Sequence, residues 1–186
     1  MAARDAQHSN RAGTVQRECL SWVELAGRLD EEVQRAARAG TQLGCLLVSL
    51  EEIEHLSRTY GEELPGQALA YIAEALAGQL RRFDRIGRAS ESELLVILPG
   101  ADERRAEIVA RRALGRLHSV KVEVEGRRET LRVSVGISAW REGLGAAQLL
   151  SQTRLAGQRR QLEDEPPGEL FDATANGAGE LPPRRS

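Results

Sequence analysis

The sequence predicts an α/β domain with a ferredoxin-like order of elements, a central mixed sheet of about five strands flanked by helices. Stretches with apolar residues at three-and-four spacing are interleaved with short, mostly apolar runs of strand length. Two such runs, 85–89 and 93–98, lie close enough to form a hairpin. The resulting order is helix, strand, helix, helix, strand, strand, helix, strand, strand, helix.

Trp22, Leu25, Leu29, Val33 and Ala36 form the stripe of a first helix that stops near Gly40. Residues 43–50 are apolar enough for a strand covered on both faces. A second helix over about 52–60 ends at Gly61, a position suited to a left-handed cap. Leu69, Ile72, Leu76, Leu80 and Phe83 mark a third, longer helix, with Pro65 in or just before its first turn. After the hairpin, closed by Pro99-Gly100, Asp102 is a suitable N-cap for a helix to about 118. Val120, Val122 and Val124 alternate with Lys121 and Glu123 as a half-exposed strand does. Gly126-Arg127 turns into a strand over 131–138, and a helix over 149–162 closes the domain.

The ends differ. Residues 1–16 lack periodicity, and 163–186 carry Pro166-Pro167, Asn176-Gly177 and Pro182-Pro183, so both are expected to be disordered tails around a single domain at 17–162. With 28 acidic and 26 basic residues the net charge of −2 gives no electrostatic reason to expect nucleic acid or an anionic membrane as partner. No apolar run approaches the roughly 20 residues of a bilayer span. Residues 1–15 are too polar for a signal peptide, so a cytoplasmic location is expected. Cys19 and Cys45 lack metal-ligand spacing and read as reduced thiols. His55 among Glu51, Glu52 and Glu54 reads as a solvated acidic face, His118 as a charge at a helix C-terminus, and Trp22 and Trp140 as core or interface fillers.

From Asp84 to Pro99 the chain reads Asp-Arg-Ile-Gly-Arg-Ala-Ser-Glu-Ser-Glu-Leu-Leu-Val-Ile-Leu-Pro. This resembles the strand-turn-strand hairpin of bacterial diguanylate cyclases, the GGDEF family, with Ser90-Glu91-Ser92-Glu93-Leu94 in place of the signature pentapeptide. Leu46-Leu47-Val48-Ser49, Tyr60-Gly61, Arg81-x-x-Asp84 and Val133-Ser134-Val135-Gly136-Ile137 fall in the family's order, and the resemblance spans about 17–162. It implies the GGDEF fold, which is related to the palm of nucleotidyl cyclases.

The resemblance also implies lost chemistry. The family holds two Mg²⁺ ions against a triphosphate with carboxylates that align here with Ser49 and Ser92, and neutral hydroxyls do not replace anions. Glu51, two residues beyond Ser49, is a candidate substitute only if the strand extends that far. Ser90 and Glu91 fill the positions of the two turn glycines, and Glu91 adds negative charge where a polyanion would lie. Glu93 keeps the acidic fourth position. Ser57 and Gly66 stand at the family's guanine-binding positions and Gln161 at its phosphate-contacting lysine. No catalytic residue, metal or cofactor is therefore expected.

Arg81 and Asp84 match the family's inhibitory site for its product, cyclic di-GMP. An Arg fork suits guanine O6 and N7, and a carboxylate accepts from guanine N1-H and the exocyclic amine. Three residues apart at the end of the third helix, both are expected to be exposed and to project toward the hairpin. Arg112, with Arg111 beside it, matches a further arginine that a second molecule often contributes in the family. The sequence thus reads as a catalytically inactive GGDEF-like domain that binds cyclic di-GMP, with possible ligand-promoted homodimerisation, and regulates an unidentified protein partner. The alternatives are a nucleotide-free interaction scaffold and, third, a residual cyclase.

Overall fold

The computed structural model of the protein describes residues 19–117, 121–124, 127–130 and 132–164. Residues 1–16, most of 163–186 (with Leu170-Phe171), His118 and Val120 lie outside the described residues.

Helix α1 (Trp22–Ala39) starts at a reciprocal cap. The Ser21 side chain accepts the Glu24 N–H, and the Glu24 carboxylate accepts the Ser21 N–H at 3.0 Å. Gly40, at φ 61°, ends it. There follow β1 (Leu43–Leu50), α2 (Ile53–Tyr60), α3 (Leu64–Ala77), β2 (Arg85–Arg88), β3 (Glu93–Pro99), α4 (Glu103–Leu117), β4 (Lys121–Val124), β5 (Arg127–Thr130), β6 (Val133–Ala139) and α5 (Ala146–Asp164). Helix α5 thus runs two residues past the boundary expected at 162.

The central sheet has four strands in the order β2-β3-β1-β6, and every neighbouring pair is antiparallel. The expected mixed sheet of about five strands is corrected in both respects. Strands β4 and β5 pair with each other as a separate hairpin. The helical crossovers do join parallel strands, β1 to β2 and β3 to β6, but in each case an oppositely running strand lies between them. Crossover connections imply parallel direction, not adjacency. At the β2 edge the chain before α1 adds one parallel bridge: Leu20 N–H donates to the Ile86 carbonyl (3.0 Å), and Arg88 N–H donates to the Leu20 carbonyl (2.9 Å).

Both faces of the sheet are covered. Leu46, Val48, Leu94 and Val96 pack against Leu69, Ile72 and Leu76 of α3 and Ala106 of α4. The alternate residues Cys45, Leu47, Leu95 and Ile97 pack against Leu25 and Leu29 of α1 and Leu149 and Leu150 of α5. Strand β1 is therefore buried on both sides, as its apolar run predicts. Burial pushes the Cys45 thiol up to about 12, while Cys19 is exposed. Trp140 packs against the second core and donates its indole N–H to the Leu144 carbonyl at 2.8 Å, whereas Trp22 is 45% exposed and fills no core position.

Two further expectations are corrected. Helix α3 ends at Ala77, not at 83: the Gly78 N–H still reaches the Glu74 carbonyl, but those of Gln79 and Leu80 turn to the carbonyls of Leu76 and Ala77, three residues back. Leu80 reaches the core from the turn that follows, and Phe83 is 71% exposed. Gly61 does cap α2 with positive φ, but at φ 98° and ψ 156° it is not left-handed helical. Among the described residues no helix is long and apolar enough to cross a membrane.

Candidate functional site

The turn between β2 and β3 is built without positive φ angles, since Glu52 is the only non-glycine with one among the described residues. Ala89 N–H donates to the Glu93 carbonyl at 2.9 Å, and the Ser90 hydroxyl accepts the Ser92 N–H at 3.3 Å. A serine side chain thus supplies the turn's internal bond, which is what such residues do in place of glycine.

Beyond the turn, register creates a polar rung. Glu93 lies directly across from Ser49 on β1, and Ser49 directly across from Ser134 on β6. Strand β1 ends at Leu50, so Glu51 lies outside the strand, its N–H bonded to the Arg132 carbonyl at 2.9 Å. Glu93 is 9% exposed, and both its oxygens are taken by one guanidinium: Arg154 Nε to Oε1 at 2.8 Å and Nη2 to Oε2 at 2.6 Å. These bonds from Arg154 hold the Glu93 carboxyl below the usual carboxylate range against the opposing effect of burial, and the same bond raises Arg154. With hydroxyls at 49 and 92 and Glu93 already engaged, the donor set does not fit a pair of divalent cations. Among the described residues no three His, Cys, Asp or Glu side chains cluster as a metal site.

Ser57, Gly66 and Glu91 are brought together. They line one open cleft of about 690 Å³ between α2, the start of α3 and the hairpin turn. Its charged residues are mixed: Glu54, Glu62 and Glu91 against Arg58 and Arg88. Arg88 Nη2 donates to the Gly66 carbonyl at 3.2 Å, tying β2 to α3 across the cleft. His55 is exposed beside it on α2.

Arg81 and Asp84 lie in the loop after α3 rather than on the helix, and they point differently. Arg81 is exposed, but Asp84 is 5% exposed, which corrects the expectation that both side chains face solvent. The Asp84 carboxylate accepts the Arg81 backbone N–H at 2.6 Å, and Asp84 N–H donates to the Arg81 carbonyl at 3.0 Å. Arg85 Nη1 adds bonds of 3.0 Å to the carbonyls of Arg82 and Asp84. Arg111 and Arg112 are exposed on α4, which packs beside α3, and Arg111 Nη2 lies 3.0 Å from Glu107 Oε1.

Arg154 and Arg88 went unread in the sequence. The available signal for Arg154 was the pair Gly136 and Gly157. A Cβ at Gly136 would collide with the Thr153 carbonyl, so β6 and α5 approach backbone to backbone there. Thr153 donates its hydroxyl proton to the Leu149 carbonyl (2.7 Å), so Ser138 is the donor in the 2.6 Å bond between the two hydroxyls. Arg154 follows on that close-packed face. Gln161 lies in the last turns of α5.

These features have relatives. The response regulator PleD of Caulobacter vibrioides is 29% identical over 117 residues, which are 62% of this chain and 26% of PleD, so the chain spans about a quarter of that relative's length. The diguanylate cyclase SiaD of Pseudomonas aeruginosa, solved with its activator SiaC, superposes with a TM-score of 0.74 at 23% identity over 81% of this chain and 59% of that one. The GGDEF domain of DgcB from Caulobacter crescentus, solved with c-di-GMP, gives 0.74 at 14% identity over 89% and 95%. At these identities the two structures speak for the fold. The family model for the diguanylate cyclase GGDEF domain matches residues 20–163, and with most of the chain so covered the protein belongs to the GGDEF family.

Proposed function

We propose that this domain is a catalytically inactive GGDEF receptor for cyclic di-GMP that acts in the cytoplasm and regulates a protein partner. The observation that carries the reading is the exposed Arg81, presented on a turn clasped by Asp84. An arginine held on a fixed backbone loses less freedom on binding a guanine edge than one on a mobile loop. Asp84, 5% exposed and bonded to the Arg81 N–H, contributes the shape of the turn rather than an exposed carboxylate.

Inactivity is supported by the hydroxyls at Ser49 and Ser92, by the engagement of Glu93 and by Glu91, which lines the cleft at the position of a turn glycine. The complexes of DgcB with c-di-GMP and of SiaD with SiaC lend the ligand and the protein partner as analogies. A nucleotide-free interaction scaffold is the second reading, favoured by the exposed Trp22 and Val23 at the start of α1.

Calorimetric titration of the protein with cyclic di-GMP decides between the two. Saturable heat that Arg81→Ala removes supports the receptor, and no heat supports the scaffold. Cyclic di-GMP formation from GTP with Mg²⁺ or Mn²⁺ above a no-enzyme control would overturn the inactivity.

A further inference from the structure

Glu93 is nearly buried at the start of β3, in a rung whose other members, Ser49 and Ser134, are neutral. A carboxylate in that position needs a cation. The close approach of α5 to β6 at Gly136 and Gly157 brings Arg154 within reach, and its fork satisfies both oxygens in the geometry that suits a carboxylate. We infer that the Arg154 guanidinium is the resident cation for Glu93 at this sheet end, occupying the carboxylate that a metal ion would otherwise seek there and closing the joint between β3 and α5 without metal or nucleotide.

Three observations converge on it. A metal ion seeking Glu93 must displace two charge-assisted bonds of 2.6 and 2.8 Å. It would then find hydroxyls rather than a second carboxylate across the rung at Ser49 and in the turn at Ser92, whose carbonyl is already bonded by the Leu50 N–H at 2.8 Å. Arg154 itself is anchored, because the preceding Thr153 is fully buried and bonded to Ser138 on β6. The guanidinium is thus held by the fold, whereas a metal would be held only by the site. The inference does not depend on cyclic di-GMP binding.

The test uses the full chain without nucleotide. Thermal melts in EDTA, Mg²⁺ and Mn²⁺ should coincide, and Mn²⁺ titrated under electron paramagnetic resonance should give the same free-ion signal with the parent and with Glu93→Gln. Arg154→Met and Glu93→Gln should each lower the melting temperature by roughly 5–10 °C, since each strands a charge or polar group. The double variant Glu93→Gln/Arg154→Met should recover more than half of the summed loss. Mn²⁺ binding to the parent that Glu93→Gln abolishes, a saturable metal-dependent rise in its melting temperature, or additive losses in the double variant would each overturn the inference. Should a single variant fail to fold, the metal titration of the parent and the melt of the double variant still decide it.

Discussion

The Asp84 carboxylate and the Arg81 backbone close a two-way clasp, with the Arg81 N–H on Asp84 Oδ2 at 2.6 Å and the Asp84 N–H on the Arg81 carbonyl at 3.0 Å. The two residues of one motif therefore have separable duties, one shaping the turn and the other facing solvent.

That separation predicts opposite profiles for their variants. Asp84→Ala leaves the Arg81 N–H without its acceptor and should cost about 1–3 kcal/mol in urea denaturation. Arg81→Ala should stay within about 0.5 kcal/mol of the parent in stability. The same Arg81→Ala change should weaken cyclic di-GMP binding by about 2–3 kcal/mol, roughly a hundredfold, in calorimetry. Equal stability of the two variants would contradict the clasp.

Arg112 should govern ligand-promoted association. It is exposed on α4, and the proposed receptor would use it on the nucleotide bound by a second molecule. Sedimentation velocity should show cyclic di-GMP raising the dimer fraction by mass action, and Arg112→Ala lowering it together with affinity. A protein that binds ligand and stays monomeric would remove the bridging role.

Acid should weaken the β3–α5 joint. The Glu93 carboxyl is depressed because Arg154 bonds its charged form. Its stabilisation is complete above the unfolded value, about 4.3 for Glu, and disappears as pH falls through the lower folded one. Arg154 is raised by the same pair, so its share is present below its unfolded value and is lost only at strongly alkaline pH. Glu24 is also depressed, by its bonds to Ser21, and adds to the acid slope. Urea midpoints from neutral to acid pH should therefore fall less steeply for Glu93→Gln/Arg154→Met than for the parent, and parallel slopes would contradict the assignment.

Three glycines should answer alanine differently. At Gly136 a Cβ meets the Thr153 carbonyl of α5, so Gly136→Ala should cost about 1–3 kcal/mol or more. At Gly87 it would lie 2.7 Å from the Leu20 carbonyl, loosening the edge bridge with a smaller loss. Gly27 in α1 has nothing within 4 Å, and Gly27→Ala should gain about 0.5–1 kcal/mol. Thermal melts of the three variants check the ranking.

Local pattern carried much of the fold. The Leu25, Leu29, Val33 and Ala36 stripe and the unbroken apolar run of β1 each record one element's own burial, so they were readable in sequence. Leu80 misled because a core position can be filled from a turn as well as from a helix, and its spacing from Leu76 does not distinguish the two. The antiparallel pairing was hidden because a crossover gives the relative direction of two strands but not which strand lies between them. Ser57, Gly66 and Glu91 were legible as one group through family register, and they share one cleft. Arg154 was not, since its partner Glu93 is 61 residues away and only the packing of α5 on β6 brings them together.

The bridge at Leu20 gives the start of the domain a mechanical character. Tension applied at Cys19 does not fall on α1 first; it loads, in shear, the two hydrogen bonds that join Leu20 to Ile86 and Arg88. Strand β2 leads straight into the turn at 89–92, and Arg88 also grips Gly66 across the cleft. Leu20 packs against one core and Ile86 belongs to the other, so a pull delivered from the N-terminal side is felt at both cores and at the hairpin through the same two bonds.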